Sequence, residues 1–170
     1  GSSARETALT RTAAERLVQA EALWAMLDPK GYPDADFYAA WRNAILYNEH
    51  TWGAHCSISQ PDSEFTLSQW KIKQQFALDA DAQSRKLLSA ALAPRRSGEV
   101  NVTAVDVYNT CSWPRTDLVV LPREMKLPGD AVKTPDGRAV PSQRLATGQL
   151  AFLARDVPPL GASRFLLAPG

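Results

Sequence analysis

The chain has 170 residues, 45% of them hydrophobic and 22% charged, which is enough for one good core or two small ones. Nineteen basic and eighteen acidic residues leave a net charge of +1. This balance argues against a nucleic-acid partner and against an anionic membrane surface, because both need a clustered basic face. No apolar run approaches the length that spans a bilayer. The two cysteines, Cys56 and Cys111, are predicted to be free thiols.

Residues 5–92 have the apolar spacing of amphipathic helices. Apolar residues of the first helix recur at steps of three and four, which gives one buried stripe: Leu9, Ala13, Leu17, Ala20, Trp24 and Leu27. Proline and glycine within residues 28–33 end this helix. Asp34 or Asp36 is predicted to cap the second helix, whose stripe is Phe37, Ala40, Trp41, Ala44, Ile45 and Asn48.

A third, longer helix is predicted to begin at residues 62–64 and to end before Pro94 and Gly98. The candidates for its buried side are Trp70, Ile72, Phe76, Ala80, Leu87, Leu88 and Ala91. Three such helices with short connections predict an antiparallel bundle over residues 5–94. The tryptophans of the stripes, and Trp41 in particular, are expected to lie in its core.

After Gly98 the spacing becomes that of strands, and residues 95–99 are the predicted linker. Strands are predicted over residues 100–108, 117–121, 138–145, 149–155 and 163–167. Turn signals separate them, such as Pro135-Asp136-Gly137, in which proline presets φ and glycine accepts a positive φ. The sequence therefore predicts an α+β protein: a three-helix bundle followed by a small antiparallel β-sandwich over residues 99–170. Trp113 is expected to be buried where this sandwich begins.

The segment Ala44–Ser59, AILYNEHTWGAHCSIS, contains the chain's two histidines, His50 and His55, together with Cys56. His50 has a structural interpretation, because a histidine in the last turn of a helix interacts well with the negative end of the helix dipole. It could also be a hydrogen-bonded polar group of the core. A zinc site needs three or four converging ligands, and the five-residue spacing of the histidines is not that of a helical metal pair. A metal site made by this chain alone is not expected.

Glu49 precedes His50 and could act as a general acid or base. Such a role needs a partner group and a cleft that shifts its pKa, so a solvated or capping glutamate is the favoured interpretation. The sequence has no Ser-His-Asp order, no glycine-rich phosphate loop and no paired CxxC motif. Catalytic residues are therefore not expected within this chain.

The order of three sequence segments points to a family. AWRNAILYNEHTWG ends a helix pair, a long third helix follows, and then come VDVYNTCSWPRTDLVVLP and DVPPLGASRFLL. This combination resembles the middle helical domain and first β-domain of glycoside hydrolase family 38, the retaining α-mannosidases, and especially its divergent bacterial members. The most specific part of the resemblance is VYNTCSWPR, residues 107–115, and the likeness extends from residue 5 to residue 167.

The resemblance implies a role for the segment around His50. The family ends the second helix of this domain in a His-His-Asp motif whose second histidine reaches into the catalytic domain as a zinc ligand, and His50 falls on that position. Glu49 and Thr51 replace the family's first histidine and its aspartate. By their place beside this ligand, Glu49, Thr51 and Trp52 are candidates for substrate binding. The family's other zinc ligands and its catalytic aspartate belong to an N-terminal domain that no stretch of this chain resembles.

Two functions of different class follow. The first is part of a retaining α-mannosidase-like hydrolase, in which the chain supplies scaffold and one zinc ligand to a catalytic domain. The second is a non-catalytic module that binds carbohydrate or acts as an interdomain scaffold. An exposed aromatic platform on the β-half would favour the second function.

Overall fold

The computed structural model describes residues 3–49, 54–93 and 102–170. The chain divides into two compact units, Gly1–Arg96 and Ser97–Gly170. Within the described residues the first unit contains three α-helices and the second contains seven strands in two antiparallel sheets. The predicted α+β class is therefore confirmed. The predicted linker, residues 95–99, lies outside the described residues.

The helical unit consists of α1 (Ala4–Leu27), α2 (Asp34–Tyr47) and α3 (Glu64–Leu92), with a short 3-10 turn at Pro29–Gly31. One cluster of its core contains the buried residues Leu17, Ala20, Phe37, Ala40 and Leu87. A second cluster consists of alanines from all three helices, Ala13, Ala44 and Ala80. Their small side chains allow the helices to approach one another closely, and the predicted stripes of α1 and α3 supply most of this core.

Three details of the helix predictions were wrong. Residue Pro33 is the N-cap of α2, and Asp34 and Asp36 lie in its first turn, where their charges favour the helix dipole. Ile45 is 65% exposed and Ile72 is 61% exposed, although both were predicted to be buried. The buried stripe of α2 is instead Phe37, Ala40, Ala44 and Tyr47, whose steps of three and four follow the helical period and place Ile45 to one side. Asn48, also assigned to that stripe, is exposed.

The β unit is a sandwich. Its strands are β1 (Ala104–Asn109), β2 (Arg115–Leu121), β3 (Ala131–Lys133), β4 (Ala139–Val140), β5 (Ser142–Arg144), β6 (Leu150–Val157) and β7 (Gly161–Ala168). One sheet has the order β1-β7-β3-β4 and the other has the order β2-β6-β5. The core contains the buried residues Leu121, Val132, Leu150, Phe152, Ala154, Val157, Phe165 and Leu167.

Two features of the sandwich were not predicted from the sequence. The short strand β3 was missed, although the turn at residues 135–137 that joins it to β4 was predicted. The strand predicted over residues 138–145 is divided at Pro141 into β4 and β5, which belong to different sheets. Proline has no N–H to donate to a sheet, but the Pro141 carbonyl accepts a hydrogen bond from the Leu153 N–H at 3.2 Å. The chain thus changes sheets at this residue.

The tryptophan predictions had mixed outcomes. Trp41 is half-buried against both helical clusters, and its Nε1 donates to Glu21 Oε1 at 2.8 Å. Trp24 is also half-buried and donates Nε1 to the Leu87 carbonyl at 3.1 Å. Trp113, in contrast, is 60% exposed, so the prediction that it is buried was wrong. It lies in the loop between β1 and β2, where the alternation of strand faces does not apply.

No helix in the described parts of the chain combines the length and the apolar character needed to cross a membrane.

Candidate functional site

The end of α2 is firmly attached to the rest of the bundle. Tyr47, its last residue, is 1% exposed, and its hydroxyl bonds to Thr7 Oγ1 at 2.9 Å and to the Ser3 carbonyl at 3.1 Å. Asn48 follows as the C-cap, and both its backbone N–H and its Nδ2 donate to the Ala44 carbonyl, at 3.3 and 2.9 Å. These bonds fix where the chain leaves the helix.

Glu49, the residue before the candidate zinc ligand, forms an ion pair with Lys73 of α3. Both side chains are largely shielded from solvent, with exposed fractions of 30% for Glu49 and 17% for Lys73. Burial lowers the pKa of the Lys73 ammonium, because a low-dielectric surrounding disfavours its charged form. Glu49 is therefore not a freely solvated group, and its ion pair connects the end of α2 to α3.

His50, Thr51, Trp52 and Gly53 lie outside the described residues. The assignments of His50 as a zinc ligand in the parent enzyme and of Thr51 and Trp52 as substrate-binding candidates accordingly stay predictions.

The connection from residue 54 to residue 63 folds against the first turns of α3. Ala54 is buried, the backbone N–H of His55 lies 3.4 Å from Gln69 Oε1, and the His55 carbonyl accepts from Thr66 Oγ1 at 3.1 Å. The His55 ring makes an edge contact with Phe65, with the ring centroids 6.3 Å apart. The exposed imidazole of His55 is thus placed by α3.

Several large apolar side chains near this connection face solvent. Ile58 is 94% exposed, Phe65 is 62% exposed and Ile72 is 61% exposed. Phe65 and Ile72 are seven residues apart on α3 and therefore share one flank of the helix. Ile58 lies within the connection itself. Exposed apolar residues that share one flank of a helix are typical of an interaction surface, whereas isolated ones need no explanation.

The described residues contain no group of three or more His, Cys, Asp and Glu side chains that could hold a metal ion. Cys56 and Cys111 are both described and are free thiols, as predicted. Cys56 adopts a positive φ of 59° and is only half-buried.

The motif VYNTCSWPR has a clear structural role in the β unit. Asn109 is 3% exposed, and its Nδ2 donates to the Trp113 carbonyl at 2.7 Å and to the Val157 carbonyl at 3.0 Å. Its Oδ1 accepts from the Cys111 N–H at 3.0 Å. One amide thus ties the β1–β2 loop to the end of β6. Within the same motif, Arg115 pairs with Asp117 and approaches Cys111 Sγ at 3.8 Å.

The sequence did not reveal two of these features. Lys73 as the partner of Glu49 depends on the register between α2 and α3, which no local pattern specifies. The exposure of Trp113 depends on the loop fold that Asn109 fixes. The sequence shows only an asparagine four residues before a tryptophan. The structure shows that this asparagine is buried, and a buried amide must satisfy its hydrogen bonds within the chain.

Comparison of the chain with known protein families and with curated proteins gave no match. The resemblance to family 38 accordingly depends on the residues of this sequence that carry it.

Proposed function

We propose that the chain is the helical and β part of a retaining α-mannosidase-like glycoside hydrolase. In this proposal it supplies scaffold and one zinc ligand, His50, to a catalytic domain in the same polypeptide. The order of a three-helix bundle and an antiparallel sandwich is the order that the resemblance implies, which supports the proposal at the level of architecture.

The observation that carries the proposal is the exposure of three apolar side chains, Ile58 in the connection and Phe65 and Ile72 on one flank of α3, which we call the apolar surface near α3. It lies beside the connection that follows the end of α2, which is where the resemblance predicts a histidine that reaches into another domain. Three large apolar side chains in solvent around this connection are explained if a further domain covers them. The ion pair between Glu49 and Lys73 would then hold the end of α2 in place beneath that interface.

In the parent enzyme the zinc ion would bind sugar hydroxyls and hold the ring against a carboxylate nucleophile. The described residues hold no group of three or more His, Cys, Asp and Glu side chains that could bind a metal by themselves, and in this proposal the remaining ligands come from the catalytic domain. The two carboxyl groups of the retaining reaction would likewise come from the catalytic domain. The part of this chain is to present the His50 segment from a rigid bundle and to cover one side of the site.

The test is a substitution of each of the chain's two histidines in the polypeptide that joins this chain to the proposed catalytic domain. His50→Ala should lower zinc content and hydrolysis of an aryl α-mannoside together, because a lost ligand weakens metal binding. His55→Ala is the matched control, since its ring contacts Phe65 and has no assigned role at the metal. It should leave both quantities close to those of the unaltered protein.

Zinc content is measured by mass spectrometry of the purified protein, and circular dichroism checks that the helices persist in both variants. If His50→Ala retains full zinc content and activity, the proposal that this histidine is a ligand is wrong. If the joined polypeptide hydrolyses no α-mannoside at all, the hydrolase proposal itself is wrong.

A second candidate function is a non-catalytic carbohydrate-binding module. One observation favours it: Trp113 of the β unit is 60% exposed, and an exposed aromatic side chain on this half is what such a module needs. The apolar surface near α3 does not require this function, and the two candidates can be tested separately.

A further inference from the structure

Two loops at one end of the sandwich carry exposed apolar side chains on a fixed backbone. These are residues 110–114, between β1 and β2, and residues 158–160, between β6 and β7; we call them the Trp113 end. Trp113 is 60% exposed and Leu160 is 55% exposed. The Leu160 N–H donates to the Cys111 carbonyl at 3.0 Å, and the buried amide of Asn109 holds the Trp113 carbonyl from below. The two loops therefore form one unit.

The backbone at the Trp113 end adopts unfavourable conformations. Leu160 has a φ of 43°, and the left-handed region is costly for a side chain such as leucine. Asp156, near the end of β6 and just before the second loop, has a φ of 50°, and its N–H donates to Thr116 Oγ1 at 3.0 Å. Backbone strain of this kind is concentrated at functional sites. Hydrogen bonds thus fix the backbone that carries the exposed tryptophan.

A charged pair lies against the same loop. Arg115 binds the carboxylate of Asp117, and its Nη1 also lies 3.8 Å from Cys111 Sγ, so the guanidinium folds back over the loop that carries Trp113. The side chains of the pair are 45% and 60% exposed. A guanidinium offers several N–H donors and a carboxylate offers only acceptors. Together they can bind neighbouring hydroxyl groups, which both donate and accept.

This combination selects one class of ligand. A pyranose ring has an apolar face of C–H groups, which packs on an aromatic ring, and a rim of hydroxyls, which bind charged and polar groups. Ligand sites commonly pair aromatic side chains with a few placed polar groups in this way. A stable protein partner would need about 1,200–2,000 Å² of buried surface, whereas an aromatic side chain offers about 150–250 Å². The Trp113 side chain by itself offers far less surface than a stable protein partner needs, and an indole face matches the apolar face of one sugar ring.

We propose that Trp113, Arg115 and Asp117 form a binding site for a pyranose ring at the end of an oligosaccharide. The ring packs on the indole of Trp113, and its hydroxyls bind Arg115 and Asp117. This proposal deepens the second candidate function by assigning it a site. It is independent of the hydrolase proposal, because it concerns binding by the chain itself rather than turnover.

The test is calorimetric titration of the full 170-residue chain with methyl α-mannopyranoside, methyl β-glucopyranoside and a mannose disaccharide. We expect saturable binding of at least one of them. Trp113→Ala should weaken that binding at least about tenfold, which corresponds to about 1.4 kcal/mol. Trp113→Phe should weaken it less, because a ring remains. Asp117→Asn should also weaken sugar binding, since a neutral amide does not form an ion pair with Arg115.

Tyr38→Ala is the matched control, because Tyr38 is an aromatic residue of α2 that is 71% exposed and lies in the other unit. The Tyr38→Ala variant should bind the sugars with the affinity of the unaltered chain. Circular dichroism checks the fold of every variant. If Trp113→Ala binds the sugars as tightly as the unaltered chain, the proposed site is wrong, and the sugars bind elsewhere on the chain. A chain that binds none of the three sugars up to their solubility limit would overturn both the site and the second candidate function.

Discussion

At the scale of single residues, polar side chains determine how the helices of the bundle align. Arg16 of α1 donates from Nη1 to Asp81 Oδ1 at 3.1 Å and to Ser84 Oγ at 2.7 Å, and Ser84 is 0% exposed. Burial by itself would raise the pKa of Asp81, but hydrogen bonds from Arg85 and Arg16 outweigh it and lower the pKa of this carboxyl group. The aspartate is therefore held in its charged form between α1 and α3.

Substitution Asp81→Asn should destabilise the chain by about 1–3 kcal/mol at pH 7, since a hydrogen bond to a charged group is lost and Arg16 is left shielded from solvent. Because the pKa of Asp81 is lower in the folded chain, its contribution is complete above the unfolded pKa of about 3.9. It is lost as the pH falls through the folded pKa. The difference between variant and unaltered chain should therefore shrink below about pH 4.

Denaturant unfolding at several pH values measures this difference. The matched control is Asp36→Asn, whose partner Lys86 is 3.6 Å away in an exposed ion pair. It should have a much smaller effect at every pH. An equal loss of stability in both variants would contradict the assignment of Asp81 to the helix interface.

At the scale of elements, the sequence predicted where helices and most strands lie because each follows a period of apolar residues. The third helix was predicted to begin at residues 62–64, and α3 does begin at Glu64, with Ser63 as its N-cap. Errors arose where another constraint prevailed. Ile72 lies beside the buried stripe of α3, Pro141 sends the chain from one sheet to the other, and β3 is only three residues long, too short for a period to be visible.

The N-cap of α3 gives a direct test of how a capping residue stabilises the start of a helix. Ser63 Oγ accepts a hydrogen bond from the Thr66 N–H at 3.2 Å, so Ser63→Ala should lower the free energy of unfolding by about 1 kcal/mol. Ser3 holds the same position before α1 but makes no side-chain capping bond. Ser3→Ala should therefore have almost no effect. Thermal or denaturant unfolding of the two variants checks the contrast, and a larger loss for Ser3→Ala would reverse our interpretation of the caps.

At the scale of the whole molecule, the order of a helical unit and a β unit could be predicted, while the candidate site could be predicted only in part. The spacing of the apolar residues changes from that of helices to that of strands at the boundary between the two units, and that change is visible in the sequence. The exposure of Trp113 and the pairing of Glu49 with Lys73 depend instead on contacts between elements. The described residues contain no group of three or more side chains that could hold a metal by themselves, and His50 lies outside those residues, so its assignment as a ligand stays a prediction.

The chemistry of retaining hydrolysis sets a requirement on carboxyl groups, and the described residues give no sign of meeting it. It needs two carboxyl groups about 5–5.5 Å apart, and the general acid needs a raised pKa. Among the carboxyl groups of the described residues whose pKa is clearly shifted, Asp81, Asp106 and Asp136, the pKa is lowered in each. In Asp106 the cause is a hydrogen bond from Arg164, in Asp136 it is one from Thr134, and in Asp81 hydrogen bonds from arginines outweigh burial. These groups are stabilised as carboxylates, which is the opposite of what a general acid requires.

The isolated 170-residue chain should therefore hydrolyse no aryl α-mannoside, with or without added zinc. Release of 4-nitrophenol from 4-nitrophenyl α-mannoside measures this, with a heat-treated sample of the same preparation as the control. The result separates the functions argued above, because a chain that binds sugar through Trp113 can do so without turning it over. Turnover above the control that a second, independently purified preparation reproduces would mean that the chain contains its own pair of catalytic carboxyl groups. The proposal that it depends on another domain for its chemistry would then have to be abandoned.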